Sequence, residues 1–418
     1  MSRLADEVRK TFSSMHVSRN FRLFFVGQLI SVTGTWVNAT ALAVLVLRLT
    51  HSGVALGVTS ALLFLPVLLF GVLGGTIADR FDKRRILLWC NAAYAALAAL
   101  QFVLVATGAI HVWIVFLIAF LNGLVYAIEP ATRQSFYVEL VGEDHITNAV
   151  SLNSSVFTGT RVLGGAVAGL LIDAFGLWSP FLLDAVSYVA VIVALLAMRV
   201  DELHPQRRAE PEPGLVRAGL RYVWRSRELR LPLAVMSVVY LLAFNFSVLV
   251  PLHAHRTFGG TAKEIGWLFA ALGLGAFVGA ITMANRQPEP TLRRLGVYGS
   301  AFGLFLAVEG VVPTFWIAMA AMVPVGYASM VFAITGNSTL QRSARGDMRG
   351  RVMALYTTIF LGSTAIGGPI AGWVAERFGA PAAFVATGAV TVVAAAWALR
   401  PAGVAERAVT AGTAVRSA

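Results

Sequence analysis

The sequence predicts an all-α membrane protein whose twelve transmembrane helices form two related six-helix halves. The 418 residues are 57% hydrophobic and 13% charged, whereas soluble domains are roughly 45–50% apolar and about 25% charged. The apolar residues fall into long runs, and a helix needs ~20 such residues to cross a bilayer. Two segments of the first half of the chain recur in the second half. These three observations together define the predicted fold class.

Each apolar run predicts one membrane-spanning helix. The runs are continuous and much longer than the ~10-residue alternating segments that build membrane β-barrels. The twelve predicted spans are residues 22–48, 55–78, 86–107, 111–131, 149–173, 178–198, 231–252, 264–284, 293–311, 314–335, 351–375 and 381–399.

The spans divide the chain into two bundles and three polar parts. These are a cytoplasmic N-terminal segment (1–20), an N-terminal six-helix bundle (21–199), a cytoplasmic linker (200–230), a C-terminal six-helix bundle (231–400) and a cytoplasmic tail (401–418). In the linker, Arg217, Arg221 and Arg225 recur every four residues, opposite Leu220 and Trp224. This pattern predicts an amphipathic helix on the membrane surface, and a solvated linker helix is an equal alternative.

The distribution of basic residues predicts the orientation in the membrane. The formal net charge is +12 at pH 7, and most of the lysines and arginines fall in the termini and in the loops on the same side as the termini. Arg48, Arg256, Lys263 and Arg377 fall on the other side. Because basic loops stay in the cytoplasm, we expect a multi-pass protein of the plasma or inner membrane with both termini cytoplasmic. The positive charge therefore indicates topology, and we expect no nucleic-acid partner.

Several functional classes are excluded by what the sequence lacks. Cys90 is the single cysteine, so intrachain disulfides and cysteine-based metal clusters are excluded. No GxxxxGK[ST] motif is present, which excludes a P-loop ATPase. Residues 1–20 lack the apolar core of a cleavable signal peptide, and we expect the first span to act as the targeting signal. We expect no enzyme, no catalytic residues, no metal and no cofactor, and any energy must come from a gradient or a partner.

The internal repeat relates spans of the two halves. Residues 161–176, RVLGGAVAGLLIDAFG, align without gaps to residues 364–379, TAIGGPIAGWVAERFG, and TIADR (76–80) recurs as TMANR (282–286) at nearly the same offset. Spans 2 and 5 therefore correspond to spans 8 and 11. Two six-span halves in parallel orientation are a known arrangement of transporters.

A charged motif, GGTIADRFDKRRILL (74–88), lies at the cytoplasmic end of span 2. An aspartate followed by basic residues at a membrane edge can form charge-assisted bonds to neighbouring helix ends. We therefore predict a cytoplasmic gate; the alternative is that its basic residues only set the topology. The predicted gate residues are Asp79, Arg80, Lys83 and Arg84.

This motif resembles the loop signature of the major facilitator superfamily, in which a glycine (here Gly75) precedes an aspartate–arginine pair and a basic pair. Asp82 departs from the pattern, since that position is often a second glycine. Residues 20–36, 161–176, 180–189 and 349–358 extend the resemblance to nearly the whole length, toward the branch with macrolide, tetracycline-type and enterobactin exporters. The resemblance implies that spans 1, 4, 7 and 10 line a central cavity and that proton influx drives export. The Gly-Pro signature of drug antiporters is absent from span 5, where Ala166 replaces the proline.

Polar residues recur on single faces of the predicted spans. In span 1 they are spaced 3, 4 and 3 residues apart and so share one helical face, and such stripes avoid lipid because unsatisfied polar groups cost several kcal/mol there. They therefore predict a substrate cavity, with helix-to-helix hydrogen bonding as the alternative. The predicted cavity residues are Gln28, Thr35, Asn38, Asn122, Tyr126, Tyr240, Asn245 and Tyr327.

Ionisable residues inside spans predict the coupling site. A charge at the centre of a transmembrane helix costs ~2.5–3.5 kcal/mol on insertion scales, and Arg161 lies near the middle of span 5. Glu129 lies near the cytoplasmic end of span 4, just before Pro130. We predict that Glu129 is the proton-linked residue and that Arg161 modulates it or neutralises the substrate. The alternative is a static pair of Glu129 with Arg133.

These features predict a secondary transporter, a monomer in the lipid bilayer, whose partners are a small molecule and protons. The predicted function is export of amphipathic drug-like or siderophore-like molecules by proton antiport and alternating access. A proton-independent facilitator or a lipid-handling transporter of the same fold is the alternative within this class. A non-transporting membrane sensor or assembly factor is the alternative from another class.

Overall fold

The computed structural model describes residues 18–204, 215–286, 288–346 and 348–399. All regular secondary structure in these ranges is helical. The predicted tail 401–418, most of the predicted segment 1–20 and the middle of the predicted linker lie outside the described residues.

The first half contains the first six predicted spans. Its helices are α1 (Arg19–Thr50), α2 (Gly53–Arg80), α3 (Lys83–Ala106), α4 (Val112–Tyr126), α5 (Glu129–Val141), α6 (Ile146–Phe175) and α7 (Ser179–Leu196). The fourth span was predicted at about residues 111–131, and the structure places a longer span there, Val112–Val141. The helix breaks between α4 and α5 and then continues to Val141. Pro130 occupies the first turn of α5, where a proline is tolerated.

The second half follows a short amphipathic helix. These helices are α8 (Leu215–Arg225), α9 (Arg227–Ala243), α10 (Phe246–Leu252), α11 (Ala262–Arg286), α12 (Leu292–Glu309), α13 (Phe315–Ser343), α14 (Arg349–Phe378) and α15 (Ala380–Leu399). The seventh span is broken between α9 and α10 and ends in a π-helical turn, His253–Thr257. Leu220 and Trp224 of α8 are exposed, and Gly219 of the same helix packs on Arg351 of α14.

The spans match the predicted fold class. Among the described residues, ten helical segments are long and apolar enough to cross a membrane, and α4–α5 and α9–α10 each form one of these segments. The remaining two predicted spans correspond to α6 and α12, with 30 and 18 residues. The all-helical, two-bundle architecture is therefore confirmed.

Local sequence signals begin and end several helices. Ser18, Ser52 and Asp82 are N-caps, and each side chain accepts a bond from a backbone N–H of the first turn. The repeated Phe-Gly pairs end α6 and α14, because Gly176 and Gly379 adopt φ values of 94° and 89°, which residues with a Cβ rarely adopt.

The two bundles repeat the same internal packing. In the first bundle α2 packs against α4 and α3 packs against α7, while in the second α11 packs against α13 and α12 against α15. Because consecutive spans alternate in direction, α1 begins and α15 ends at the same end of the molecule. We call this end, which carries Lys83, Arg84, Arg294 and Arg349, the basic face. The other end, which carries His51, Ser52 and Glu376, is the distal face.

Repeated glycines join the two bundles near the distal face. Gly53 and Gly57 of α2 lie against Gly372 and Gly368 of α14. An added Cβ at Gly57 would lie 2.4 Å from the carbonyl oxygen of Gly368.

The internal repeat places an equivalent contact on the other side of the molecule. Gly165 and Gly169 of α6 lie against Gly266 and Lys263 of α11, and an added Cβ at Gly266 would lie 2.3 Å from the Gly165 carbonyl oxygen. Among the described residues, Gly165, Gly169, Gly368 and Gly372 of the repeat thus lie in the two most extensive helix contacts between the bundles, because small residues allow helices to approach closely.

Candidate functional site

A cleft between the bundles opens toward the basic face. The close helix contacts lie in the distal half, whereas α4 and α5 do not pack extensively against any described helix of the second bundle. In the basic half of α2, Leu69 and Leu73 are exposed, and no atom lies within 4 Å of a Cβ added at Gly75. The bundles therefore touch at the distal face and separate toward the basic face.

Glu129 and Arg133 form an ion pair within the first bundle. The Nε of Arg133 lies 2.9 Å from Oε1 of Glu129, and the two side chains are 14% and 10% exposed. Glu129 is also the first residue of α5, where the helix dipole stabilises a carboxylate. The structure thus contains the Glu129–Arg133 pair that the sequence offered as an alternative. The assignment of Glu129 to proton coupling stays a prediction.

Arg161 does not meet Glu129. Its guanidinium carbon lies 5.4 Å from the centroid of the Trp36 ring, a cation–π distance. Among the described residues, no carboxylate forms an ion pair with Arg161. Arg161 is one helical turn on the basic side of Gly165, where α6 contacts α11. Arg161 therefore lies at the closed end of the cleft, on the basic side of the Gly165–Gly266 contact between the bundles.

The predicted cavity residues of α1 face α7 as well as the cleft. The hydroxyls of Thr35 and Tyr188 are 3.2 Å apart, and the Nδ2 of Asn38 donates a hydrogen bond to Asp184. Gln28 is buried. These contacts stabilise the first bundle, so helix-to-helix bonding, the sequence-based alternative, accounts for Asn38.

The other predicted cavity residues divide into two groups. Asn122, Tyr126 and Tyr327 are half-buried, on α4 and α13. Tyr240 and Asn245 are fully buried inside the second bundle. The Tyr240 hydroxyl lies 3.2 Å from that of Tyr356, and the Nδ2 of Asn245 donates to the Leu241 carbonyl at 2.7 Å, beside the break between α9 and α10. In this conformation neither Tyr240 nor Asn245 reaches the cleft, because both side chains pack among neighbouring helices.

The predicted gate residues contact only the first bundle in this conformation. The Nζ of Lys83 lies 2.6 Å from Oε1 of Glu139, and the Nε of Arg84 donates to the Leu195 carbonyl at 2.7 Å. Asp79 and Arg80 are exposed. A gate across the basic face therefore stays a prediction for a conformation in which that face is closed. Asp82, the departure from the family signature, accepts a bond from the Arg85 backbone at 2.8 Å.

Sequence reasoning missed the polar contacts that hold the distal face. Oε2 of Glu376 accepts bonds from Ser52 Oγ at 2.7 Å and from the Val54 backbone at 2.9 Å. The guanidinium of Arg256 donates to the His51 carbonyl. The repeat contained a signal for Glu376, since an acidic residue recurs there, but it did not reveal the partner.

A second buried pair, His253 with Glu309, lies in the distal half of the second bundle. The Nε2 of His253 is 3.4 Å from Oε1 of Glu309. The two residues belong to different spans, so only the folded bundle brings them together.

Two related six-span bundles around a cleft define a transporter of the major facilitator fold. Residues 11–409 match the transmembrane secretion effector family. The chain belongs to this family of the major facilitator superfamily. It is therefore a multi-pass membrane transporter for a small molecule and not an enzyme.

Two similar proteins of known function come from bacteria. The chain is 24% identical over 342 residues to a staphyloferrin A transporter of Staphylococcus aureus, covering 80% of this chain and 84% of that protein. It is 25% identical over 365 residues to the enterobactin exporter EntS of Shigella boydii, covering 84% of each.

Solved structures share the fold at low sequence identity. The nucleoside transporter NupG superposes with a TM-score of 0.74 at 12% identity, covering 91% of this chain and 98% of that one. A bacterial homologue of the lysosomal transporter Spinster, in an inward-facing and unoccupied conformation, gives a TM-score of 0.72 at 14% identity, with 91% and 96% covered.

Proposed function

We propose that this protein exports an anionic, amphipathic small molecule of the siderophore class by proton antiport and alternating access. Arg161 is the observation that carries the cargo class. A charged residue at mid-membrane requires a counter-charge or a functional role. Arg161 stacks on Trp36 and has no carboxylate partner among the described residues, so an anionic group of the cargo can supply the missing charge.

The relatives support the same cargo class. The two similar proteins are named for staphyloferrin A and for enterobactin, and siderophores are chelators rich in oxygen ligands. An arginine beside an indole ring suits such a molecule, because the guanidinium binds oxygen anions and the ring contacts apolar surface. The cargo therefore combines negative charge with apolar or aromatic surface.

The direction of export is inferred from the relative that is named an exporter, and the proposed orientation agrees with it. The basic face is the cytoplasmic side, as the positive-inside rule predicts. The cleft would then load cargo from the cytoplasm and release it after the distal face opens. In the complementary conformation, Asp79, Arg80, Lys83 and Arg84 would close the basic face. Glu129 would carry the proton that returns to the cytoplasm.

A transport assay tests the proposal. The purified protein is reconstituted into liposomes with an acidic interior, and uptake of enterobactin and of staphyloferrin A is measured with and without a protonophore. We expect accumulation of at least one siderophore, and the protonophore should abolish it. Protein-free liposomes are the control. Uptake that the protonophore does not change would favour the facilitator, and no uptake of either compound would contradict the proposed cargo class.

A further inference from the structure

Two titratable side chains meet in the apolar interior near the distal face. His253 begins the π-helical turn that follows α10, and Glu309 ends α12. Both side chains have 0% exposure, and Nε2 of His253 lies 3.4 Å from Oε1 of Glu309. Among the described residues, neither carboxylate oxygen of Glu309 has a hydrogen-bond partner, and Nε2 of His253 has none either. A π-helical turn is a rare element that often marks a functional site.

The surroundings of the pair are apolar. The rings of Phe258 and Phe384 lie 4.8 and 5.0 Å from the His253 ring. The helix that contributes Phe384, α15, carries no charged residue, and α9, α12 and α13 carry lysine or arginine only toward the basic face. Within the part of the chain that the structure describes, the other polar groups against the His253 ring are the Thr257 hydroxyl, 3.1 Å from Nδ1, and the backbone of Glu309.

The charged and titratable groups on the neighbouring elements are engaged elsewhere. On the π-helical turn, Nδ1 of His255 lies 3.1 Å from the Gly260 carbonyl oxygen, and Arg256 binds the His51 carbonyl. On α11, Glu264 accepts bonds from the backbone and hydroxyl of Thr261, and Lys263 is exposed. On α14, which also packs against α10, Glu376 binds Ser52 and Val54, and Arg377 is exposed. None of these charged groups forms an ion pair or hydrogen bond with His253 or Glu309 among the described residues, so we take the charge of the pair to balance within the pair.

The pair lies directly behind the contact that closes the distal face. The same π-helical turn carries Arg256, whose guanidinium reaches across to His51 of the first bundle. One residue before the turn, the side chain of Leu252 approaches within 3.0 Å of a Cβ added at Gly53 of α2. Opening of the distal face must move this turn, and that movement would admit water to the pair.

Proton balance then links the pair to closure. If Nδ1–H of His253 donates to Thr257, Nε2 can accept the proton of a neutral Glu309, and the pair is neutral with one proton between its members. Removal of that proton leaves a lone carboxylate in an apolar interior, which is strongly unfavourable. The proton therefore enters from, and returns to, solvent at the distal face when that face is open.

We propose that His253 and Glu309 form a proton-binding site reached from the distal face, and that the distal face closes when this site holds one proton. The proposal rests on the alternating-access part of the proposed function. It depends neither on the cargo nor on Glu129. Because the closed form binds one proton more than the open form, the ratio of closed to open molecules rises as the pH falls, by up to about tenfold per pH unit.

Distance measurements between spin labels test this site. Labels are attached at Trp113→Cys on α4 and Phe378→Cys on α14, two exposed positions at the distal face, in a Cys90→Ala background. Distances are recorded in nanodiscs between pH 5 and pH 9 without cargo or gradient. We expect the short distance to gain population as the pH falls. Glu309→Gln should remove this pH dependence, and His253→Gln should keep it with a shifted midpoint.

The matched control is Glu264→Gln, which alters a neighbouring carboxyl outside the pair and should leave the pH profile unchanged. The proposal is overturned if the wild-type ratio ignores pH or rises with it, or if Glu309→Gln keeps the wild-type profile. If Glu309→Gln fails to fold, His253→Gln decides the question. The proposal is then overturned if the midpoint of the pH profile in His253→Gln equals that of the wild type. Because the measurement needs no cargo, failure of siderophore transport would not alter its result.

Discussion

Glu376 of the second bundle caps the N-terminus of α2 in the first bundle, where Ser52 is the N-cap residue. Its Oε2 atom accepts the Ser52 hydroxyl at 2.7 Å and the Val54 backbone N–H at 2.9 Å. A carboxylate at a helix N-terminus is stabilised by the free N–H groups and by the helix dipole. The cap exists only while the bundles touch at the distal face.

Glu376→Gln should weaken closure of the distal face. The side chain is exposed, and exposed charge interactions contribute about 0.5–1 kcal/mol, so the closed-to-open ratio should fall roughly two- to fivefold. Spin-label distances across the distal face would measure the ratio. Asp173→Asn is the matched control, because Asp173 holds the aligned position in the repeat but α11 is capped by its own Glu264. An equal effect of both substitutions would contradict the cap.

Gly57→Ala should separate α2 from α14. The new Cβ would lie 2.4 Å from the carbonyl oxygen of Gly368, and backbone atoms cannot move aside cheaply. Overpacking typically costs 1–3 kcal/mol, so the closed population should fall roughly five- to hundredfold. Gly75→Ala on the same helix is the control, because no atom lies within 4 Å of its Cβ. Equal transport rates and equal distances in the two variants would show that the contact is not required.

A cysteine pair at Ser60 and Ser247 should lock the distal face. Their hydroxyl oxygens are 3.2 Å apart on α2 and α10, so two sulfur atoms at these positions can bond. In a Cys90→Ala background, the double variant should lose transport on oxidation and regain it on reduction. Each single cysteine variant should keep its transport under oxidation. Full transport by the cross-linked protein would exclude separation of the bundles at this point.

The sequence predicted the helices well because lipid demands long apolar runs with internally bonded backbones. It also revealed the repeat, and the repeated glycines lie in the two most extensive helix contacts between the bundles. The sequence did not reveal the break before Glu129 or the one before Asn245, since hydropathy does not change there. At each break the helix stops within an apolar run and a new helix starts at a polar residue: Glu129 is the first residue of α5, and Asn245 is the N-cap of α10.

The candidate site was less predictable because its contacts join distant parts of the chain. Glu129 and Arg133 are four residues apart, and their pairing follows from helical spacing. The partners of Glu376 are in the other half of the chain, and no local pattern indicates them. Tyr240 and Asn245 matched a cavity pattern but are buried, because a polar stripe on a helix can face neighbouring helices as well as water.

Arg161→Met should reduce transport of anionic cargo selectively. The substitution keeps an unbranched side chain over Trp36 but removes the charge at the closed end of the cleft. We expect KM for an anionic siderophore to rise roughly 10- to 100-fold, corresponding to about 1.4–2.8 kcal/mol of lost binding energy. Arg161→Lys, which retains a charge, should recover part of the affinity. An unchanged KM in Arg161→Met would contradict the role of Arg161 in cargo binding.

Glu129→Gln should uncouple transport from the proton gradient. The amide cannot release a proton but can still bond to Arg133, so α5 and the first bundle should remain folded. In reconstituted liposomes, we expect accumulation against a concentration gradient to be lost, while exchange of labelled for unlabelled cargo continues.

The control for Glu129→Gln is Glu139→Gln, which changes another carboxyl of the same helix, α5. This substitution removes the ion pair of Glu139 with Lys83 of α3. Because Glu139 lies nearer the basic face, its loss should change gating and leave proton coupling intact. Accumulation should therefore persist in Glu139→Gln at an altered rate and vanish in Glu129→Gln. Pronounced accumulation by Glu129→Gln would assign the Glu129–Arg133 pair a purely structural role, because a static ion pair stabilises α5 without exchanging protons.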